Sequence, residues 1–209
     1  MATNLLQKIR WAAWGLVGVA AIVGGGLMMG SLQEAVQSGR KAPAAIQIGG
    51  PFVLTSHKGE VFASDALKGK PYALFFGFTH CPDICPTTLL EMTRHLDALG
   101  QDASKMNVLF VTVDPERDTV EQLQAYMSSF HDGITGLTGT PEQIAQVAKL
   151  YRAYFKKAPS PTDPDDYTMD HSATVYLFDG SGRLTSTLDW QEDEAVQLKK
   201  LQRLVAAVS

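Results

Sequence analysis

The sequence predicts an α/β domain, a central mixed sheet flanked by helices, carried behind one N-terminal transmembrane helix. Three observations predict it. A continuous apolar run at 71–78 (PYALFFGF) suits a strand buried on both faces, and 106–114 (MNVLFVTVD) and 173–179 (ATVYLFD) read as a second buried strand and a third apolar one. Helical patterns alternate with these runs, and a hairpin and a helix close the chain, giving the order β-α-β-α-β-β-α. Residues 11–33 carry no charge, and WAAWGLVGVAAIVGGGLMMG at 11–30 is long enough to cross a bilayer core, which takes about 20 residues of helix.

Taken in order, the anchor comes first. Trp11 and Trp14 stand at its start, where interfacial aromatics belong, and Lys8 and Arg10 precede it. A cleaved signal peptide would have a shorter apolar region and a small-residue cleavage site straight after it. Neither is seen, so the expectation is an uncleaved anchor with residues 1–10 as a cytoplasmic tail and the bulk of the chain outside. No Arg-rich, Ser-rich transit peptide precedes it, which favours a bacterial inner membrane, with the soluble domain in the periplasm, over an organelle. Residues 31–50 read as a tether with Pro43 and a closing Gly-Gly.

The domain itself spans 51–209. PFVLTSHKGEVFAS reads as an added hairpin turning at 57–59. The first core strand leads into the loop THCPDICPTT and a helix ending near Leu99, closed by Gly100. After the second strand, Thr119 and Gln122 open a helix over 120–130. Thr140-Pro141-Glu142-Gln143 opens another, expected to reach Phe155 and to link the second and third core strands. APSPTDPDDYTMD is expected to be loop, DGSGR the turn of a terminal hairpin, and 192–207 the last helix. This order is that of a thioredoxin-like fold.

Composition excludes some functions. Eighteen basic residues face 22 acidic ones, for a formal charge of −4. Without Lys8 and Arg10, 16 basic residues remain against 22 acidic ones, or −6, so no nucleic acid is expected as a partner. Two cysteines cannot staple a domain of this size, but they can form one bridge, bind one metal or do redox work.

Those cysteines, Cys81 and Cys85, stand in HCPDICP directly after the first core strand. A thiol near a helix N-terminus is acidified, and the thiolate is the form that binds metal or attacks a disulfide. Residues four apart lie on one face of a helical turn, so both sulfurs can be joined or can open around one ion. Pro82 and Pro86 stiffen the segment.

His171 immediately precedes the third core strand, in TMDHSATVYLF. In a thioredoxin-like fold that turn lies beside the cysteine loop, and redox members usually carry a cis-proline there. A histidine in its place favours metal ligation. Two thiolates and an imidazole form a soft set that suits Cu(I) and can hold Cu(II), with zinc as the physical rival. Asp170 is a candidate to orient His171 from behind. His80 is a reserve ligand, while His57 sits in a turn, His95 on a helix and His131 at a helix end. VTVDPERDT (111–119) should exit the sheet at the same edge, where its acids are either a partner-docking rim or ordinary helix-start acids.

Taken together, FGFTHCPDICP, VTVDPERDT and YTMDHSATVYLFD closely resemble the Sco/SenC/PrrC family of membrane-anchored copper chaperones over roughly residues 45–205. The resemblance implies a thioredoxin-like domain that binds one copper and helps build the dinuclear copper site of cytochrome c oxidase subunit II. It places the family's ligands on Cys81, Cys85 and His171, with the two cysteines a disulfide or redox pair when metal-free. The partners implied are subunit II, the membrane and another periplasmic copper chaperone as donor. The family also contains members that look like thiol–disulfide oxidoreductases or redox sensors, so an enzymatic reductase role is the alternative.

Overall fold

The computed structural model describes residues 9–11, 14–15, 22–26, 47–160 and 166–207. The chain divides into two units, 1–46 and 47–209. In the first, the described residues are helical and Trp11, Trp14 and Ile22 are exposed. Most of the expected 11–30 anchor, the 1–10 tail and the 31–50 tether lie outside the described residues. Among the described residues, no helix is long and apolar enough to cross a membrane.

In the second unit, the strands are β1 (Val53–Ser56), β2 (Val61–Ala63), β3 (Tyr72–Gly77), β4 (Asn107–Thr112), β5 (Ile134–Thr138), β6 (Phe155–Pro159), β7 (Tyr167–His171), β8 (Val175–Phe178) and β9 (Leu184–Leu188). The helices are α1 (Ile84–Leu99), α2 (Val120–Met127), α3 (Pro141–Leu150) and α4 (Glu194–Ala206). Seven strands form one mixed sheet in the order β2-β1-β5-β4-β3-β8-β9. β3, β4 and β5 run parallel, and the remaining pairs are antiparallel. This is the mixed, helix-flanked sheet that the order of elements predicts.

Alternation along β3 builds two cores. Leu74 and Phe76 face one side, with Ile144 and Val147 of α3. Ala73 and Phe75 face the other, with Leu89 and Met92 of α1, Leu123 of α2 and Leu201 of α4. Every residue of β3 is buried, as its unbroken apolar run requires.

Three expectations are corrected. First, a strand occupies 134–138, between α2 and α3, so α3 alone does not link the core strands. Gly136 admits it: a Cβ there would meet Met127 and Leu123 at 2.9–3.0 Å, so α2 lies flush on β5. β5 also pairs with β1, which makes the N-terminal hairpin an edge of the main sheet. His57, placed in a turn by sequence, is buried there. Its N–H donates to the Gly136 carbonyl (2.8 Å), and its Nδ1 accepts the Gly136 N–H (3.1 Å).

Second, α3 stops at Leu150, not Phe155. Its start is as expected: Thr140 Oγ1 accepts the Gln143 N–H and Gln143 Oε1 accepts the Thr140 N–H, a complete capping box behind Pro141. It ends because Arg152 turns left-handed (φ 54°) and the Ala153 N–H reaches back to the Ala148 carbonyl (2.9 Å). Third, much of the expected loop at 158–170 is strand: β6 and β7 form a separate antiparallel hairpin, with residues 161–165 outside the described residues.

A candidate metal centre

β3 delivers the chain to the carboxyl edge of the sheet. The Cys81 N–H donates to the Phe78 carbonyl (3.2 Å). α1 begins earlier than expected, at Ile84, so Cys85 lies in its first turn while Cys81 stands in the loop before it. Pro86 is tolerated because a first-turn N–H has no intrahelical partner. The Cys81 sulfur takes up one of those free donors, accepting the Cys85 N–H at 3.4 Å.

Close packing fixes the second sulfur. Cys85 is buried, and a Cβ on Gly77 would stand 2.8 Å from its Sγ and 2.6 Å from the Phe110 ring. Only glycine fits at that position without displacing one or the other.

The third group arrives on β7. Side chains alternate along a strand, so Tyr167, Met169 and His171 share one face. Met169 is buried in the same core as Phe78 and Cys85. His171 Nε2 comes within 3.5 Å of Cys85 Sγ, and its ring meets Phe78 edge-on with centroids 5.7 Å apart. His171 Nδ1 lies 3.0 Å from the Ser172 carbonyl. A carbonyl only accepts, so Nδ1 carries the proton and Nε2 keeps its lone pair.

The donor atoms of Cys81, Cys85 and His171 all lie within 4.8 Å of one another. Both cysteines are free thiols. An ion with bonds of about 2.0–2.3 Å to nitrogen and sulfur spans such a set. Cys85 is buried while Cys81 and His171 are half-exposed, which leaves one side of the trio open to solvent.

The two thiols are strongly unlike. The hydrogen bond from Cys85 holds the Cys81 thiol down at about 4, helped by the backbone N–H groups of Cys85 and Asp83, against burial, which opposes it. Cys85 is pushed the other way by that same bond and by burial. The pair therefore holds one proton, on Cys85, and presents one thiolate, on Cys81.

Asp170 does not orient the imidazole. It points to the opposite face of β7, exposed, in register with Lys156. The Ser172 carbonyl takes that part. His80 is exposed and hydrogen-bonds Thr79 Oγ1 (3.1 Å), away from the trio. His95 is buried against Gln197 Oε1 (3.0 Å), and His131 Nδ1 accepts the Gly133 N–H.

Sequence reasoning missed what VDPERDT does. Asp118 is fully buried and accepts from Thr79 N–H (3.0 Å), Thr79 Oγ1 (2.6 Å) and Thr112 Oγ1 (2.5 Å), which pins the start of the cysteine loop. Asp114 is buried as well. It accepts from Arg117 Nε and from the Tyr167 hydroxyl (2.9 Å). Arg117 also donates to the Tyr167 carbonyl (2.9 Å) and to Asp166 (3.1 Å). Two of the three acids thus face inward and only Glu116 is exposed, paired with Lys157 (2.6 Å). The uneven polarity of the motif, with acids and an arginine directly after a strand rich in apolar residues, was the available signal.

A SCO1/SenC family profile matches residues 40–206. The chain is 40% identical over 168 residues to the mitochondrial protein SCO2 of Saccharomyces cerevisiae, covering 80% of this chain and 56% of that longer protein. Among solved structures, Bradyrhizobium japonicum ScoI with copper bound is 47% identical (TM-score 0.70), covering 75% of this chain and 99% of that one. Yeast Sco1 with copper bound is 37% identical (TM-score 0.69), covering 77% and 90%. With a thioredoxin-like sheet, a thiol–thiol–imidazole trio at its edge and a profile match across most of its length, this chain belongs to the SCO1/SenC family.

Proposed function

We propose that the chain is a membrane-anchored copper metallochaperone. It binds one copper, as Cu(I) or Cu(II), through Cys81, Cys85 and His171 and delivers it to the dinuclear copper site of cytochrome c oxidase subunit II. The observation that carries this reading is the convergence of two sulfurs and a free imidazole lone pair within 4.8 Å. Thiolates and imidazole are soft donors that suit copper, with zinc as the competing ion. The copper in the solved structures of the Bradyrhizobium and yeast relatives supports the choice of metal.

Copper is cargo on this reading. The chain's own residues bind it by losing thiol protons, Cys81 having already lost its own. The half-exposed Cys81 and His171 leave room for a partner's thiolate to enter, so ligands can be exchanged one at a time. The apolar, charge-free stretch at 11–30 supports a single-pass anchor; on this reading the membrane is a bacterial inner membrane, the domain is periplasmic and the copper donor is a periplasmic copper chaperone. Tethering to the partner's membrane raises the effective concentration.

The acidified Cys81 favours a second reading, a thiol–disulfide reductase. Its thiolate attacks a partner disulfide, one partner thiolate leaves, and Cys85 closes on Cys81 to release the other, so the pair is oxidised as the partner is reduced. One experiment separates the two. The reduced, full-length protein in detergent is titrated anaerobically with Cu(I) and with Zn(II), and compared with His171→Ala. Metallochaperone function requires about one copper per chain and at least tenfold weaker binding in the variant. Unchanged affinity, with disulfide reduction intact in His171→Ala, would support the reductase.

A further inference from the structure

β6 and β7 pair only with each other among the described strands. A lone hairpin is marginally stable in water, so side chains must decide where this one sits. At the His171 end, Met169 is buried in the core. At the other end everything converges on Tyr167. Its hydroxyl donates to Asp114, its carbonyl accepts from Arg117 Nη1, and its ring lies 3.8 Å from the Arg117 guanidinium and 4.4 Å from Lys157 Nζ. Arg117 joins the two, because its Nε donates to the same Asp114.

The segment that supplies Asp114 and Arg117 also supplies Asp118, which holds Thr79 two residues before Cys81. A single five-residue turn therefore grips the strand that carries the imidazole and the loop that carries the sulfurs. Among the described residues, the side-chain hydrogen bonds of Arg117 go to Asp114, Asp166 and Tyr167, and none goes to a cysteine or to His171.

We propose that Arg117 is a positioning residue: through Asp114 and Tyr167 it sets the distance between His171 and the sulfur pair, and so decides whether an ion is held by three ligands or by the thiolates alone. The inference rests on the copper reading above. It requires an arginine, because a planar fork donates to a carboxylate and a carbonyl at once while its face stacks on a ring. A lysine keeps the charge and loses that geometry.

The test uses the reduced full-length chain in detergent, comparing wild type, Arg117→Lys, Tyr167→Phe, His171→Ala and the Arg117→Lys/His171→Ala double variant. Copper affinity is measured, together with nitrogen hyperfine coupling in the Cu(II) EPR spectrum. Arg117→Lys should weaken copper binding about tenfold and diminish the nitrogen coupling. The same change in the His171→Ala background should alter affinity less than twofold, because a residue that acts through the imidazole has nothing left to act on. Tyr167→Phe, which removes one hydroxyl and keeps the ring, should weaken binding less, and serves the same comparison if Arg117→Lys does not fold. Wild-type affinity in Arg117→Lys, or an equal loss in both backgrounds, would overturn the proposal while leaving the copper reading intact. Equal affinity of wild type and His171→Ala would overturn both.

Discussion

The Nε2 of His171 stands 3.5 Å from the Sγ of Cys85, although 86 residues separate them in the chain. That contact joins a strand outside the main sheet to the first turn of α1. It also has a fixed polarity. With Nδ1 donating to the Ser172 carbonyl, the face of the ring edge turned to the sulfur is the acceptor side.

The cysteines should react unequally. Cys81 is half-exposed with its thiol held at about 4, whereas Cys85 is buried and pushed up. Iodoacetamide applied to the reduced, metal-free protein at pH 6 should alkylate Cys81 at least tenfold faster than Cys85, read by peptide mass spectrometry. Equal rates would remove the one-proton description of the pair.

The same asymmetry makes stability depend on pH. In the unfolded chain both thiols sit at their ordinary 9.0. Between about 4 and 9 the unfolded state therefore holds two protons on the pair and the folded state one, so the pair's contribution rises with pH through that window. Above 9 the order reverses, because the folded state retains the Cys85 proton while the unfolded state loses both. In urea unfolding of the reduced, metal-free protein, the advantage of wild type over Cys81→Ser should grow from pH 4.5 to 8. An advantage independent of pH contradicts this.

Gly77→Ala tests the packing behind Cys85. The added methyl would meet the Phe110 ring and the sulfur at 2.6 and 2.8 Å. Overpacking of this kind costs about 1–3 kcal/mol. Copper affinity should fall as well, since the sulfur is one of the two atoms that must give way. A stable variant with wild-type affinity would show the strand end to be softer than its contacts imply.

Asp118→Ala leaves three donors, on Thr79 and Thr112, without their acceptor. A stability loss of about 3 kcal/mol is expected by urea unfolding, since bonds to a buried charge are among the stronger ones. The cysteine loop should loosen with it, seen as faster alkylation of Cys85. Loss of stability without that change would confine Asp118 to the scaffold.

The parts of the fold that were legible are those with one strong local signal. β3 and β8 are unbroken apolar runs, β4 is one apart from its end residues Asn107 and Thr112, and α3 opens on Thr140-Pro141-Glu142-Gln143. β5 was hidden by glycine: Gly136 interrupts its short apolar pattern, with Gly133 and Gly139 on either side, yet Gly136 is what makes room for α2. β6 and β7 were hidden because Lys156, Lys157 and the Asp–Pro run resemble loop, and tertiary ties hold the hairpin alongside a single buried residue, Met169.

The nearness of His171 to the cysteines followed from the order of elements alone. The misassigned role of Asp170 had a simpler cause: with that segment taken as loop, strand parity could not be applied, and parity sends Asp170 and His171 to opposite faces.

The bond from His171 Nδ1 to its neighbour's carbonyl has one more consequence. A ring engaged in that way has a single lone pair to offer and cannot bridge two ions. On the delivery reading the histidine grips one atom of cargo at a time, and a second metal on the same chain would have to be held by sulfur alone.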